Sequence, residues 1–145
     1  MAASAKPLAG AKVLVVEDDA LVAFDIISSL KDAGAEVVGP ARTVNEALEL
    51  AKAEDLCCGV LDVWLRDGPV FPAASLLRGK GAGIIFHTGR SEFEELKQDW
   101  PEAHVIIKPA RPEQLMQALL TACCPAKPQR ASSAWVIASH FHLLG

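Results

Sequence analysis

The feature of this sequence that most constrains its fold is a regular alternation of short apolar runs with longer amphipathic segments. The short runs are rich in Val, Ile and Leu without polar alternation, which is typical of strands buried on both faces of a sheet. The predicted strands are 13–16, 36–39, 57–62, 83–87 and 105–107.

A helical pattern follows each predicted strand. In the first, Val22, Ile26 and Leu30 recur at four-residue spacing, and in the second Thr43 and Glu46 form a capping box. The predicted helices are 20–33, 43–53, 69–78, 92–98 with Ser91 as its N-cap, and 111–122. Strands that alternate with helices in this way form a parallel sheet with helices on both faces.

The length and composition indicate one folded domain. The chain has 145 residues, 51% of them hydrophobic and 22% charged, which favours a packed core over disorder. We predict an N-terminal extension at 1–10, the domain at 11–122 and a C-terminal tail at 123–145. The tail contains two apolar stretches, 135–137 and 141–144, for which three alternatives are open: docking on the domain, binding to a partner, or disorder.

The charge balance argues against several classes of protein. The net charge is −4 and no run of Lys and Arg is present, so direct DNA binding is not expected. No segment approaches the roughly 18 apolar residues that span a bilayer, and the N-terminus lacks a secretory pattern. We therefore expect no membrane association and a cytoplasmic location.

The four cysteines occur as two adjacent pairs, and the first pair lies in a predicted strand, at Cys57 and Cys58. We expect them to behave as small buried apolar residues, because zinc ligands normally come in spaced pairs. The alternative is a metal site built from the second pair and two tail histidines: Cys123, Cys124, His140 and His142.

Polar side chains follow four of the predicted strands directly. Ligands of open α/β sheets bind beyond the carboxyl ends of the strands, so these residues mark the expected site. They are Glu17, Asp18 and Asp19 after the first strand, Asp62 after the third, Thr88 after the fourth and Lys108 after the fifth.

This set of groups suits phosphoryl transfer. Clustered carboxylates repel one another unless a cation lies between them, and hard oxygen ligands select Mg²⁺. A carboxylate such as Asp62 can attack phosphorus beside a metal, while Lys108 neutralises the phosphoryl oxygens and Thr88 donates a hydrogen bond to them. We therefore predict that Asp62 is a phosphoryl acceptor.

Each of these residues also has a simpler explanation when taken singly. Asp18 or Asp19 could cap the first helix, and Asp62 at a strand end or Thr88 before a glycine could be a turn residue. Lys108 could be a solvated surface side chain. The phosphoryl-acceptor hypothesis depends on their joint occurrence, in order, at the ends of the predicted strands.

Four stretches of the sequence resemble the receiver domain of two-component response regulators, and the resemblance covers about residues 10–122. They are Val-Leu-Val-Val-Glu-Asp-Asp at 13–19, Leu-Asp-Val-Trp-Leu at 61–65, His-Thr-Gly at 87–89 and Ile-Lys-Pro at 107–109. The resemblance implies a flavodoxin-like (βα)5 fold, a doubly wound parallel sheet with strand order 2-1-3-4-5. It also implies a signalling protein that is not an enzyme.

The resemblance further implies roles for the acidic residues. Asp62 would be phosphorylated by a histidine kinase or a phosphotransfer protein, as part of a phosphorelay. Glu17 and Asp18 would hold Mg²⁺ together with Asp62, and the backbone carbonyl of Trp64 would supply another ligand.

The same resemblance implies which residues change position on phosphorylation. Thr88 would move toward the phosphoryl group, Lys108 would pair with it, and the Lys108–Pro109 bond would be cis. Three positions depart from the family pattern: Val105 replaces an aromatic residue, Arg66 replaces a proline, and Ala110 replaces a frequent phenylalanine.

The output is expected to be contact with another protein. Only 23 residues follow Ala122, too few for a second domain, so the chain resembles a stand-alone receiver. The downstream protein is unknown, and a homodimer is compatible with the sequence. The main alternative is a receiver-like interaction module that works without phosphorylation.

Two enzyme or cofactor-binding classes are disfavoured by the sequence. A haloacid-dehalogenase-type phosphatase needs a second acidic residue two positions after its nucleophilic aspartate, and Trp64 occupies that position after Asp62. A flavin-binding protein is disfavoured because no hydroxyl-rich loop follows the first strand.

Overall fold

The computed structural model describes residues 6–123 of the chain and contains one large parallel sheet. The strands in chain order are β1 (Lys12–Val16), β2 (Glu36–Ala41), β3 (Cys58–Leu61), β4 (Trp64–Leu65), β5 (Gly68–Pro69), β6 (Gly83–Thr88) and β7 (His104–Ile107). The large sheet has the order β2-β1-β3-β6-β7, and all of its strands run parallel. Since β6 and β7 are its fourth and fifth strands along the chain, the predicted order 2-1-3-4-5 is confirmed.

In the described part of the chain, five α-helices flank this sheet. They are α1 (Ala20–Asp32), α2 (Val44–Ala53), α3 (Phe71–Gly79), α4 (Phe93–Asp99), which follows a 3₁₀ turn at Arg90–Glu92, and α5 (Pro112–Ala122). The prediction of a doubly wound α/β fold is therefore confirmed.

Each face of the sheet has its own hydrophobic core. Successive residues of a strand point to opposite faces, so Leu14 and Val16 of β1 pack on one side while Val13 and Val15 pack on the other. The first core contains apolar side chains of α2, α3 and α4, and the second contains those of α1 and α5. Burial on both faces explains why the strands read as continuous apolar runs.

A short antiparallel hairpin, which the sequence did not reveal, follows β3. Its strands β4 and β5 pair Trp64 with Pro69 and Leu65 with Gly68. As a result α3 begins at Phe71, two residues later than predicted. The prediction that β2 ends at Gly39 was also too short, since this strand continues through Pro40 to Ala41.

The predicted helix caps had different outcomes. Thr43 is the N-cap of α2, as predicted, and its hydroxyl accepts a hydrogen bond from the backbone of Glu46 at 3.1 Å. The prediction of Ser91 as the N-cap of α4 was wrong, because Ser91 lies within the 3₁₀ turn and Glu92 occupies the N-cap position. The Ser91 hydroxyl instead donates a hydrogen bond to Oε2 of Glu92 at 2.9 Å.

Both ends of the described chain pack on the core. Leu8 is fully buried, and its backbone N–H donates to the carbonyl of Ala33 at 2.8 Å. Cys58 and Cys123 are buried in the core under α1 and α5, as expected for apolar packing, and Cys57 is half-buried. The other residues of the alternative metal site and the apolar tail stretches lie outside the described residues, and the domain boundaries remain predictions.

Within residues 6–123, the structure contains no helix with the length and apolar character needed to cross a bilayer.

Candidate functional site

The carboxyl edge of the sheet brings together three carboxylates from two neighbouring strands. Asp62 follows β3, and its backbone N–H donates to the carbonyl of Val16 at the end of β1 at 2.9 Å. This pairing places Asp62 beside Glu17 and Asp18, which continue from β1. Each of the three acids offers an oxygen, and these atoms all lie within 4.8 Å of one another. The acidic group is therefore a direct consequence of the β1–β3 register.

Glu17 is the most buried of the three acids, with a relative exposure of 1%. Its Oε2 accepts a hydrogen bond from the backbone of Asp19 at 3.1 Å. Its Oε1 lies 3.3 Å from the Lys108 ammonium, yet no donor among residues 6–123 is aligned to hydrogen-bond it. Burial, reinforced by the charge of Asp62, raises the pKa of Glu17 to about 7, although the Asp19 N–H and Lys108 oppose this rise.

Lys108 follows the edge strand β7, and its side chain extends along the carboxyl edge of the sheet to the acidic group. Its backbone N–H donates to the Thr88 carbonyl at 2.7 Å, which continues the pairing of β6 and β7, and its Nζ lies 3.2 Å from Oδ2 of Asp62. Burial is the largest influence on the pKa of Lys108 and lowers it, but the attraction of Glu17 and Asp62 outweighs burial, so the pKa is raised. The predicted cis bond between Lys108 and Pro109 is confirmed.

The two aspartates after Glu17 have different surroundings. Asp19 is the N-cap of α1, and its Oδ1 accepts hydrogen bonds from the backbones of Leu21 at 2.9 Å and Val22 at 3.2 Å. Asp18 belongs to the acidic group. The capping explanation that the sequence left open for either residue therefore applies to Asp19.

Thr88 ends β6 at the same edge, with a relative exposure of 2%. Its hydroxyl donates a hydrogen bond to Oε1 of Glu92 at 3.2 Å. Oε2 of Glu92 in turn accepts a hydrogen bond from the indole nitrogen of Trp64 at 3.1 Å. Glu92 is thus a site residue that the sequence did not reveal, since it lies in a 3₁₀ turn at the start of α4, where no periodic pattern indicates contacts.

Hydrogen bonds lower the pKa of the Glu92 carboxyl below its usual value. Burial is the largest influence on its pKa and raises it, but hydrogen bonds from Ser91, Trp64 and Thr88 together outweigh burial, so the pKa is lowered.

The acidic group suits a divalent cation. Three hard carboxylate oxygens within 4.8 Å of one another, one of them a buried Glu17 oxygen without an aligned donor, form the kind of donor set that Mg²⁺ binds. Glu17, Asp18 and Asp62 would hold the ion. The ligand role of the Trp64 backbone carbonyl remains a prediction.

The chain shares sequence with two curated regulators. It is 30% identical over 112 residues to the transcriptional regulatory protein PdtaR of Mycobacterium tuberculosis, a match that covers 74% of this chain and 54% of PdtaR. It is 33% identical over 106 residues to the phyllosphere-induced regulator PhyR of Methylorubrum extorquens, a match that covers 70% of this chain and 39% of PhyR. The chain thus spans about half or less of the length of these relatives. No family model matches it.

Solved structures show the same architecture. The response regulator PhyR from Brucella abortus superposes with a TM-score of 0.72 at 29% identity, over 95% of this chain and 55% of that protein. The receiver domain of the sensor histidine kinase PA1611 from Pseudomonas aeruginosa, solved with magnesium in its active-site cleft, superposes with a TM-score of 0.67 over 79% of this chain and 98% of that domain. Its 20% identity supports the fold alone.

The doubly wound sheet, with its acidic group at the carboxyl edge, defines a receiver-like α/β signalling domain. Together with the relatives above, this architecture gives the family. The chain belongs to the receiver domains of two-component response regulators.

Proposed function

We propose that Asp62 accepts a phosphoryl group from a histidine kinase or a phosphotransfer protein in a Mg²⁺-dependent step. The observation that carries this proposal is the position of the Asp62 carboxylate, which lies 3.2 Å from the Lys108 ammonium and beside Glu17 and Asp18. Asp62 is largely buried, with a relative exposure of 8%, so few protein groups other than those of the site compete for its carboxylate.

The chemistry follows from these contacts. An Asp62 oxygen forms a bond to phosphorus while the bond between phosphorus and the donor's imidazole nitrogen breaks, which yields an acyl phosphate. A bound Mg²⁺ supplies positive charge for the phosphoryl oxygens. Lys108, already paired with Asp62, neutralises the same oxygens. Thr88 then donates a hydrogen bond to the new phosphoryl group, as the family resemblance implies.

The result of this step is a change of surface and not the turnover of a substrate. A phosphoryl group that attracts Thr88 and Lys108 stabilises one conformation of the loops after β6 and β7 over another. The phosphorylated form then binds a downstream protein with altered affinity, and homodimerisation is one form that this output can take. The net charge of −4 disfavours DNA as the direct target. We place this reaction in the cytoplasm.

Labelling with acetyl phosphate tests the proposal. We expect the native chain and the Asp99→Asn variant to form stoichiometric acyl phosphate in the presence of Mg²⁺, and Asp62→Asn to form none. Asp99 is the matched control because it is an exposed aspartate at the end of α4. Removal of Mg²⁺ with a chelator should abolish labelling of the native chain.

Two results would contradict this assignment. Undiminished labelling of Asp62→Asn would show that the acceptor is another residue. No labelling of the native chain by any small phosphodonor would favour the alternative, a receiver-like module that binds its partner without phosphorylation.

A further inference from the structure

A single carboxylate, that of Glu92, joins the loops that follow β3 and β6. Its Oε1 accepts a hydrogen bond from the Thr88 hydroxyl at 3.2 Å, and its Oε2 accepts one from the Trp64 indole at 3.1 Å. Trp64 lies two residues after Asp62, while Thr88 ends the neighbouring strand β6. The two loops that flank the predicted phosphorylation site are thus held together through one side chain.

Each of the two donors has only one proton to give, so a hydrogen bond to Glu92 prevents it from donating to another acceptor. A threonine hydroxyl has one proton to donate, and an indole nitrogen is a donor only. Thr88 is nearly fully buried, so its proton has few alternative acceptors. While this proton is donated to Glu92, it is not available to an oxygen bound at Asp62.

We infer that Glu92 is a positioning residue that holds Thr88 in the unphosphorylated arrangement, and that a phosphoryl group on Asp62 must displace it. This inference rests on the proposed function of Asp62. The Glu92 carboxylate and the phosphoryl oxygens compete for one hydroxyl proton, so the strength of the Glu92 contact sets part of the free energy that opposes activation.

Displacement of Glu92 also changes the surface beside the site. Once Thr88 turns to the phosphoryl group, the carboxylate loses one of the donors that fix its position, which leaves its bond to the Trp64 indole less constrained. The Trp64 side chain is 56% exposed and becomes free to adopt other rotamers. Trp64 therefore couples the chemistry at Asp62 to a large apolar surface group.

Three variants test this inference through binding of beryllofluoride, an acyl-phosphate mimic, in the presence of Mg²⁺. We expect Glu92→Ala to bind the mimic about threefold or more tightly than the native chain, because no competing acceptor remains for Thr88. Glu92→Gln retains one carbonyl oxygen as an acceptor but lacks the charge, so its affinity for the mimic should lie between those of the native chain and Glu92→Ala. Glu95→Gln, an exposed glutamate of α4, is the matched control and should bind like the native chain.

A spectroscopic signal separates this role from a merely structural one. The indole N–H resonance of Trp64, assigned with Trp64→Phe, should shift when the native chain binds beryllofluoride. In Glu92→Ala it should already lie near its ligand-bound position without the mimic, since the indole has lost its acceptor. A merely structural role would also shift the indole resonance of Glu92→Ala, because the acceptor is lost, but it would leave unchanged both the affinity for the mimic and the response of the resonance to the mimic.

The outcomes are distinguishable. If the native chain binds beryllofluoride but Glu92→Ala shows unchanged affinity and an unchanged response of the indole resonance, the Glu92 inference is wrong while the proposed function stands. If the native chain does not bind the mimic at all, both are wrong.

Discussion

The Lys108 ammonium lies 3.2 Å from Oδ2 of Asp62 and 3.3 Å from Oε1 of Glu17, so one cation serves two carboxylates at the edge of the sheet. Lys108 follows β7, whereas the two acids follow β3 and β1, with β6 between them. The contact therefore spans most of the sheet and depends on the strand order.

Removal of this cation should destabilise the protein. Lys108→Gln leaves Glu17 and Asp62 without their neutralising partner, and we expect a loss of about 1–2 kcal/mol in the free energy of unfolding at pH 8 without divalent ions. Urea denaturation measures it. Lys52→Gln, at an exposed position of α2, is the matched control, and an equal loss in both variants would contradict the prediction.

Glu17 should make the stability of the metal-free protein depend on pH. Its pKa rises from 4.5 to about 7 on folding, so its stabilising contribution is fully present below pH 4.5 and is lost as pH increases through 7. We expect this group to account for a loss of roughly 2–3 kcal/mol between pH 4.5 and 8. Glu17→Gln should lack this component, whereas Glu49→Gln, at an exposed position, should retain it.

Millimolar Mg²⁺ should restore the stability that the metal-free protein loses when Glu17 is ionised. An ion that binds the native state alone stabilises it, and the Glu17 oxygen without an aligned donor is part of its binding site. The melting temperature of the native chain at pH 8 should therefore rise with Mg²⁺, and that of Glu17→Gln should rise less. Equal increases in the two proteins would show that Glu17 takes no part in binding the ion.

His87 should give the opposite dependence on pH. The side chain is 6% exposed, and burial, together with the nearby charge of Lys108, lowers its pKa from 6.5 to about 4, although Asp62 opposes this shift. The stabilising contribution of the neutral ring is complete above pH 6.5 and is lost as pH falls toward 4, by roughly 2–3 kcal/mol. His87→Gln removes the titration, so the difference in unfolding free energy between it and the native chain should change over this window. A constant difference from pH 8 to 4 would contradict the prediction.

Gly83 should not tolerate a side chain. A Cβ at this position meets the backbone carbonyl of Ala122, at the end of α5, so the substitution requires a shift of the backbone in the helix or in the strand. We expect Gly83→Ala to lower the free energy of unfolding by about 2 kcal/mol in thermal or urea denaturation. Gly79→Ala is the control, because its Cβ enters open space and should be neutral or stabilising by up to about 1 kcal/mol.

Much of the site was predictable because it follows from strand order. Parallel strands end at a common edge, so residues placed directly after them lie along that edge, and the strand order decides which of them meet. This geometry brought Glu17, Asp18, Asp62 and Lys108 together as expected, and it placed Thr88 at the same edge. The roles of these residues in phosphorylation and metal binding remain predictions that the experiments above test.

Loop geometry was not predictable in the same way. The sequence allowed Asp18 or Asp19 as the cap of α1, and it assigned Ser91 as the cap of α4 although a 3₁₀ turn precedes that helix. Side-chain contacts in loops depend on rotamers and local turns, which leave no periodic pattern in the chain.

By itself, then, the sequence determined the α/β layering and the identity of the groups at the carboxyl edge, because hydrophobic period and strand ends are local properties. The strand order is not local, and the sequence indicated it only through the resemblance to receiver domains. Only the tertiary structure decided where the Thr88 hydroxyl points and that Glu92 holds it together with Trp64. Those hydrogen bonds join residues that the fold alone brings within reach, and their direction depends on how two separate loops pack.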